Sequence, residues 1–114
     1  MLLAEKDVVR LQHMLEAAEL SLVFCAGRRR EELDTDPMLR FALAHAITVI
    51  GEAAGKISQP TRDAVPGIRW TSIVGMRNRL VHAYFDIDHD VLWQSIVEQM
   101  TPLATALRAA LLRP

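Results

Sequence analysis

The sequence predicts an all-α fold, a four-helix bundle with short connections, and three observations carry that prediction. Apolar residues make up 51% of the 114 residues while aromatics are only 5%, and Ala and Leu dominate the apolar set, a composition suited to packed helices rather than strands. The first and last of four helical stretches space their apolar residues three and four apart, the repeat of one helix face, and the second is apolar nearly all round. Between them lie short runs rich in the residues that start and stop helices. A chain of this length holds one domain, residues 1–114, large enough to bury a single core.

The first helix is expected over residues 2–26. Leu3, Val8, Leu11, Leu15, Ala18 and Leu22 form its stripe, with Glu5, Arg10, Gln12, Glu16 and Glu19 off it, and Gly27 closes it. Cys25, the only cysteine, has no partner for an internal disulfide and reads as a small buried hydrophobe rather than a nucleophile. "RRREELDTD" follows as a polar, solvated connection.

Asp34, Thr35 or Asp36 can cap the second helix, with Pro37 suited to its first turn, and the helix runs to about Ser58. It is apolar nearly all round, so it should pack on several sides. His45, Thr48, Glu52 and Lys56 share one stripe that needs water, partners or a site, and Gly51 and Gly55 form a small-xxx-small pair suited to close helix packing. Its apolar run "FALAHAITVIGEAAG" is broken by His45 and Glu52, short of the roughly 18 to 20 residues that span a bilayer. No membrane is therefore expected. Glu5, Lys6 and Asp7 spoil a signal peptide, which leaves the cytoplasm as the expected location.

"SQPTRDAVPGIRW" carries two prolines and a glycine and reads as a connection with at most a short helical turn. Thr71 or Ser72 can start the third helix, which would carry "GMRNRLVHAY". In "DIDHD", Asp88 or Asp90 should cap the fourth helix, whose apolar face is Val91, Leu92, Ile96, Val97, Met100, Leu103, Leu107 and Leu111, with a kink at Pro102. Asp86, Asp88, His89 and Asp90 could bind a divalent ion, but they lack EF-hand spacing and sit where a helix start wants negative charge. Capping is the preferred reading, and no metal site is assigned.

A net charge of −1 and a pI near 6.4 exclude holding nucleic acid by global charge. Locally the balance differs. Between Lys56 and Leu80, five cations (Lys56, Arg62, Arg69, Arg77 and Arg79) face the single Asp63, a net +4 that should attract an anion. On a continuous helix Asn78 and His82 share one line and Arg77 and Tyr84 another, leaving Arg77 and His82 about 140° apart. A two-fold dimer would bring one subunit's groups beside the other's.

Histidine exchanges protons near neutral pH, arginine grips phosphate oxygens, and Asn78 and Tyr84 can orient the imidazole or donate to an anion. Together they suit general acid–base cleavage of RNA, whose 2′-hydroxyl is a built-in nucleophile, with no metal required. Spacing alone favours a structural histidine. Glu52 could pair with the motif arginines and Asp86 could orient His82, while Trp70 and Trp93 read as core anchors of helix ends.

The segment "IRWTSIVGMRNRLVHAYFDID", with "VLW" after it and "IGEAAGKIS" upstream, resembles the HepT-like toxins of the HEPN superfamily. Their hallmark is Arg, four residues, His, one residue, Tyr, matched here by Arg77, His82 and Tyr84, with Asn78 as the polar residue after the arginine. The likeness extends over about residues 34 to 105. It implies a homodimeric four-helix bundle acting as a metal-independent endoribonuclease, with Arg77 on the scissile phosphate, His82 as general acid or base and Asn78 in support. It also implies a nucleotidyltransferase antitoxin of the MNT type that neutralises the toxin by placing AMP on Tyr84, adding charge and bulk beside the cleft. Arg69 and Arg79 are the candidate further contacts to RNA. The alternative is a non-catalytic helical subunit, nucleotide-binding or scaffolding, of a nucleotidyltransferase complex.

Overall fold

A computed structural model describes residues 3–83 and 86–112, with the backbone alone described for 81–83. The elements run α1 (Glu5–Cys25), α2 (Glu32–Thr35), α3 (Pro37–Gly55), α4 (Gln59–Ala64), α5 (Trp70–Leu80), β1 (Val81–Ala83), β2 (Asp86–Ile87) and α6 (His89–Leu111). The fold is all-α in character, as expected: α1, α3, α5 and α6 are the four principal helices.

Local chemistry sets most boundaries. After α1, Gly27 takes a φ of +72°, and the Ala26 and Arg28 amides donate to the Val23 and Cys25 carbonyls. A side chain at that φ is strained although space is open around it, so Gly27→Ala is expected to lower stability by about 1–2 kcal/mol. Thermal melts followed by circular dichroism check this. An unchanged midpoint would mean the turn relaxes at no cost. The Asp36 carboxylate accepts from the Leu39 amide at 3.1 Å, with Pro37 opening α3, and Asp88 caps α6 by accepting from Val91 at 3.0 Å.

Three features depart from the sequence reading. The polar connection holds the extra turn α2, because Leu33 is fully buried and draws it onto the core. Its arginines are not merely solvated: Arg28 pairs with Asp36 at 2.6 Å, while Arg30 reaches Asp34 at 2.7 Å and Asp90 at 2.6 Å. His89 Nδ1 lies 2.7 Å from Asp34, so α2 is tied to the start of α6. Most consequentially, α5 stops at Leu80 and the chain turns into a two-stranded antiparallel hairpin, with Val81 opposite Ile87 and Ala83 opposite Asp86. The Asp88 amide donates to the Leu80 carbonyl at 2.7 Å, capping α5 from eight residues downstream.

The core lies where α1 packs on α3 and α6, and α3 on α5. Leu11, Met14, Leu43, Ile47, Ile96 and Met100 are fully buried there, each contributing about 1.5–3 kcal/mol of transfer free energy. By length and composition α3 is apolar enough to cross a bilayer. Packing against α1 and α5 accounts for its buried residues, while Met38 and Phe41 on the same helix are exposed. Gly51 is buried against the α5 backbone, where a Cβ would lie 3.5 Å from the Val74 carbonyl oxygen, whereas Gly55 faces open space, so only one of the pair serves close packing. Cys25 is half-buried, and burial pushes its thiol up to about 11 against the opposing effect of Arg28, so it stays protonated at neutral pH.

Candidate functional site

The site is built on α5. Trp70, Ile73, Met76 and Leu80 are buried along one stripe and fix the rotation of the helix. The start of α5 is held by the Trp70 ring: its Nε1 donates to the Val65 carbonyl at 3.1 Å and Arg62 lies over it at 5.6 Å. Arg62 also donates to the Ala54 carbonyl at 2.8 Å and the Ile57 carbonyl at 3.2 Å, closing the end of α3. Trp70 is thus the core anchor the sequence suggested.

With rotation fixed, the last turn exposes three consecutive polar residues, Arg77, Asn78 and Arg79. Each step of about 100° carries the chain around the axis, so these three form a polar belt across the outer side of α5. Arg77 stands within about 20° of Trp70, and Arg79 within about 20° of Ser72. Arg79 lies back along the helix and donates to the Ser72 carbonyl at 2.9 Å, over Gly75, where a Cβ would sit 3.2 Å from its Nη1. Arg77 has no hydrogen bond or ion pair among the described residues. Among the described residues, nothing neutralises this cation at the end of α5.

His82 follows on β1 and not on the helix. The expected alignment of Asn78 with His82, and the separation of about 140° between Arg77 and His82, therefore do not apply. The physical reason is the sequence after Leu80: Val81 and Ile87, paired across the hairpin, favour extended chain, and the Asp88 amide takes the carbonyl that would continue the ladder. Asp86 is on β2 opposite Ala83, so it is not one helical turn from His82. Tyr84 lies outside the described residues.

The stretch of net +4 is not one patch. Arg62 is engaged in helix closure, and Lys56 lines a separate groove between α1 and α3 with Lys6, Arg10, His13 and Glu52. Glu52 faces α1 and is not a partner of the motif arginines. Arg69, Arg77 and Arg79 remain with α5. Of the expected His45, Thr48, Glu52 and Lys56 stripe, Thr48 donates to the Ala44 carbonyl at 3.0 Å and the other three are exposed. Among the described residues no cluster of His, Cys, Asp and Glu is placed to hold a metal ion: Asp88 caps α6, and His89 and Asp90 pair with Asp34 and Arg30.

Sequence reasoning missed a second feature of α5. Between its first turns and α6 lies a groove of about 480 Å³, lined by Arg69, Ser72, Ile73, Glu98, Gln99 and Leu103 among others. The available signal was the spacing of Arg69, Ser72 and Arg79, which share one flank of the helix.

Residues 14–110 match the family described as Ribonuclease HepT-like. A candidate RNase of Methanocaldococcus jannaschii is 33% identical over 99 residues, covering 86% of this chain and 91% of its own length. A candidate RNase of Caldanaerobacter subterraneus subsp. tengcongensis is 28% identical over 101 residues, covering 89% and 90%. A candidate HepT ribonuclease of Thermococcus cleftensis is 34% identical over 93 residues, covering 82% and 84%. No solved structure matches the chain at a significant level.

Proposed function

The chain belongs to the HepT-like ribonucleases of the HEPN superfamily, and on that premise we propose that it is a metal-independent endoribonuclease toxin whose site combines Arg77 and His82. The observation that carries this reading is the exposed Arg77 at the end of α5, unpaired among the described residues and just ahead of the strand bearing His82.

In the proposed reaction a ribose 2′-hydroxyl attacks the adjacent phosphorus, its proton leaving to a base as the new P–O bond forms. The bond to the 5′-oxygen breaks, and that oxygen takes a proton from an acid. His82 supplies one of these two transfers. Arg77 stabilises the charge on the non-bridging oxygens as it grows. Asn78, next to Arg77 on the polar belt, holds the phosphate in place, and Arg69 and Arg79 bind the strand beyond it.

The active species in this reading is a homodimer, whose two-fold axis brings the ends of two α5 helices together. The partner is a nucleotidyltransferase antitoxin that modifies Tyr84 with AMP. The added phosphate places negative charge where RNA phosphate must enter, which accounts for inhibition.

The direct test incubates the purified protein with RNA in EDTA and follows strand scission on denaturing gels. Cleavage is expected to persist in the chelator. A folded protein that binds RNA or nucleotide without cutting under any metal condition would instead fit the non-catalytic subunit.

A further inference from the structure

We propose that the groove between α5 and α6 is a binding subsite for an unpaired guanine of the RNA, an inference that rests on the ribonuclease reading of the neighbouring Arg77 and His82.

The groove has the volume of a small-ligand site, about 480 Å³, within the roughly 300–1,000 Å³ such sites occupy. Ile68, Ile73 and Leu103, all buried, give it an apolar floor on which a planar base can lie. Its polar groups are of two kinds. Arg69 and the Gln99 amide are donors, while Glu98 is a carboxylate acceptor on α6.

Arg69 and Glu98 carry opposite charges in one groove, yet no ion pair joins them, and neither side chain has another partner among the described residues. A ligand that bridges them must offer donors to one and an acceptor to the other. Pro102, also in the lining, sharpens this demand. It has no amide hydrogen, so it cannot supply the helical bond to the carbonyl four residues earlier, which is that of Glu98.

Among the RNA bases, guanine alone places two adjacent donors, N1–H and the N2 amino group, beside an acceptor, O6. Its Watson–Crick edge matches a carboxylate taking both donors while Arg69 or Gln99 donates to O6. Adenine and cytosine present one donor beside a ring acceptor, and uracil a single donor between two acceptors; each would leave part of the groove unmatched.

The groove is also placed to take such a base. Ser72 and Arg77 are five residues apart, about 8 Å along the helix axis, a step of one or two nucleotides. The belt from Arg77 over Asn78 to Arg79 leads across the outer side of α5, and Arg79 ends on Ser72 at the groove. A strand held by Arg77 at its scissile phosphate can follow those cations into the subsite.

Binding of 5′-GMP, 5′-AMP, 5′-CMP and 5′-UMP to the full chain is measured by NMR titration, and cut sites in a random-sequence RNA are mapped by sequencing. GMP is expected to bind about tenfold more tightly than the others, the order of one bidentate base contact. Its shifts should centre on Ser72, Glu98 and Gln99, and cut sites should lie within two nucleotides of a guanine. Glu98→Gln, at an exposed position, should abolish both preferences. Equal binding of the four nucleotides, or a preference that survives Glu98→Gln, overturns the subsite. Loss of the ribonuclease reading looks different: no cleavage of any RNA, with GMP selectivity intact.

Discussion

Replacing His82 with alanine is expected to slow RNA cleavage by about 10²–10⁴-fold, the range that one positioned acid–base group supplies. Arg77→Ala is expected to cost about 10²–10³-fold, the loss of one preorganised charge-stabilising group. Arg77 is exposed and has no partner within the described residues, so its removal should leave the melting midpoint within about 1 °C of wild type. Activity and stability therefore separate cleanly for this variant. Subunit mixing adds information that single variants cannot give. If each cleft takes its arginine from one subunit and its histidine from the other, a dimer of one Arg77→Ala and one His82→Ala subunit keeps one intact cleft. An equilibrated equal mixture should then recover roughly a quarter of the wild-type rate. Where both groups come from the same subunit, mixing restores nothing. His82→Ala cutting at the wild-type rate would remove the assignment altogether.

The same motif shows where sequence reading reaches and where it stops. Helix starts at Asp36–Pro37 and Asp88, and the stop at Gly27, are set by side chains within a few residues, so local pattern finds them. The end of α5 is not local. Met76 and Leu80 continue the helical spacing toward Tyr84, and the bond that closes the helix comes from the Asp88 amide after a hairpin. Val81 and Ile87 favour extended chain, but a preference carried by so few residues does not by itself mark where a helix ends. For the site, residue identities were legible and their relative placement was not. The run of cations ahead of Leu80 reads as one patch on paper, but the fold gives Arg62 to helix closure and Lys56 to another face. Contacts across long separations escape the sequence for the same reason, and those of the buried Asp7 are among them.

Asp7 lies in the first turn of α1, only 2% exposed, and its carboxylate accepts from the Ser58 amide at 3.2 Å, the Ser58 hydroxyl, and the Thr61 hydroxyl at 2.6 Å. These partners begin α4, so Asp7 acts as a cap supplied from 51 residues away. Asp7→Ala leaves the buried Thr61 hydroxyl and the part-buried Ser58 bonds without their acceptor and is expected to lower stability by about 2–4 kcal/mol. For a domain of this size that is roughly 10 °C or more in melting midpoint. Burial raises the Asp7 pKa, but the bonds from Ser58 and Thr61, with Arg10 nearby, outweigh it and hold the carboxyl below its ordinary value of 3.8. The sign follows from the lowered value: the stabilisation is fully present above the unfolded pKa and is lost as pH falls through the folded one. Wild type should therefore lose stability on acidification below about pH 4 more steeply than Asp7→Asn, which cannot titrate there. Urea melts between pH 3 and 7 measure the difference; parallel profiles for the two proteins, or an Asp7→Ala midpoint within 2 °C of wild type, would contradict it. The consequence reaches the site, because α4 carries Arg62 onto the Trp70 ring that starts α5. Loosening this clamp should cost activity only in proportion to the unfolded fraction, whereas Arg77→Ala costs activity in a fully folded protein.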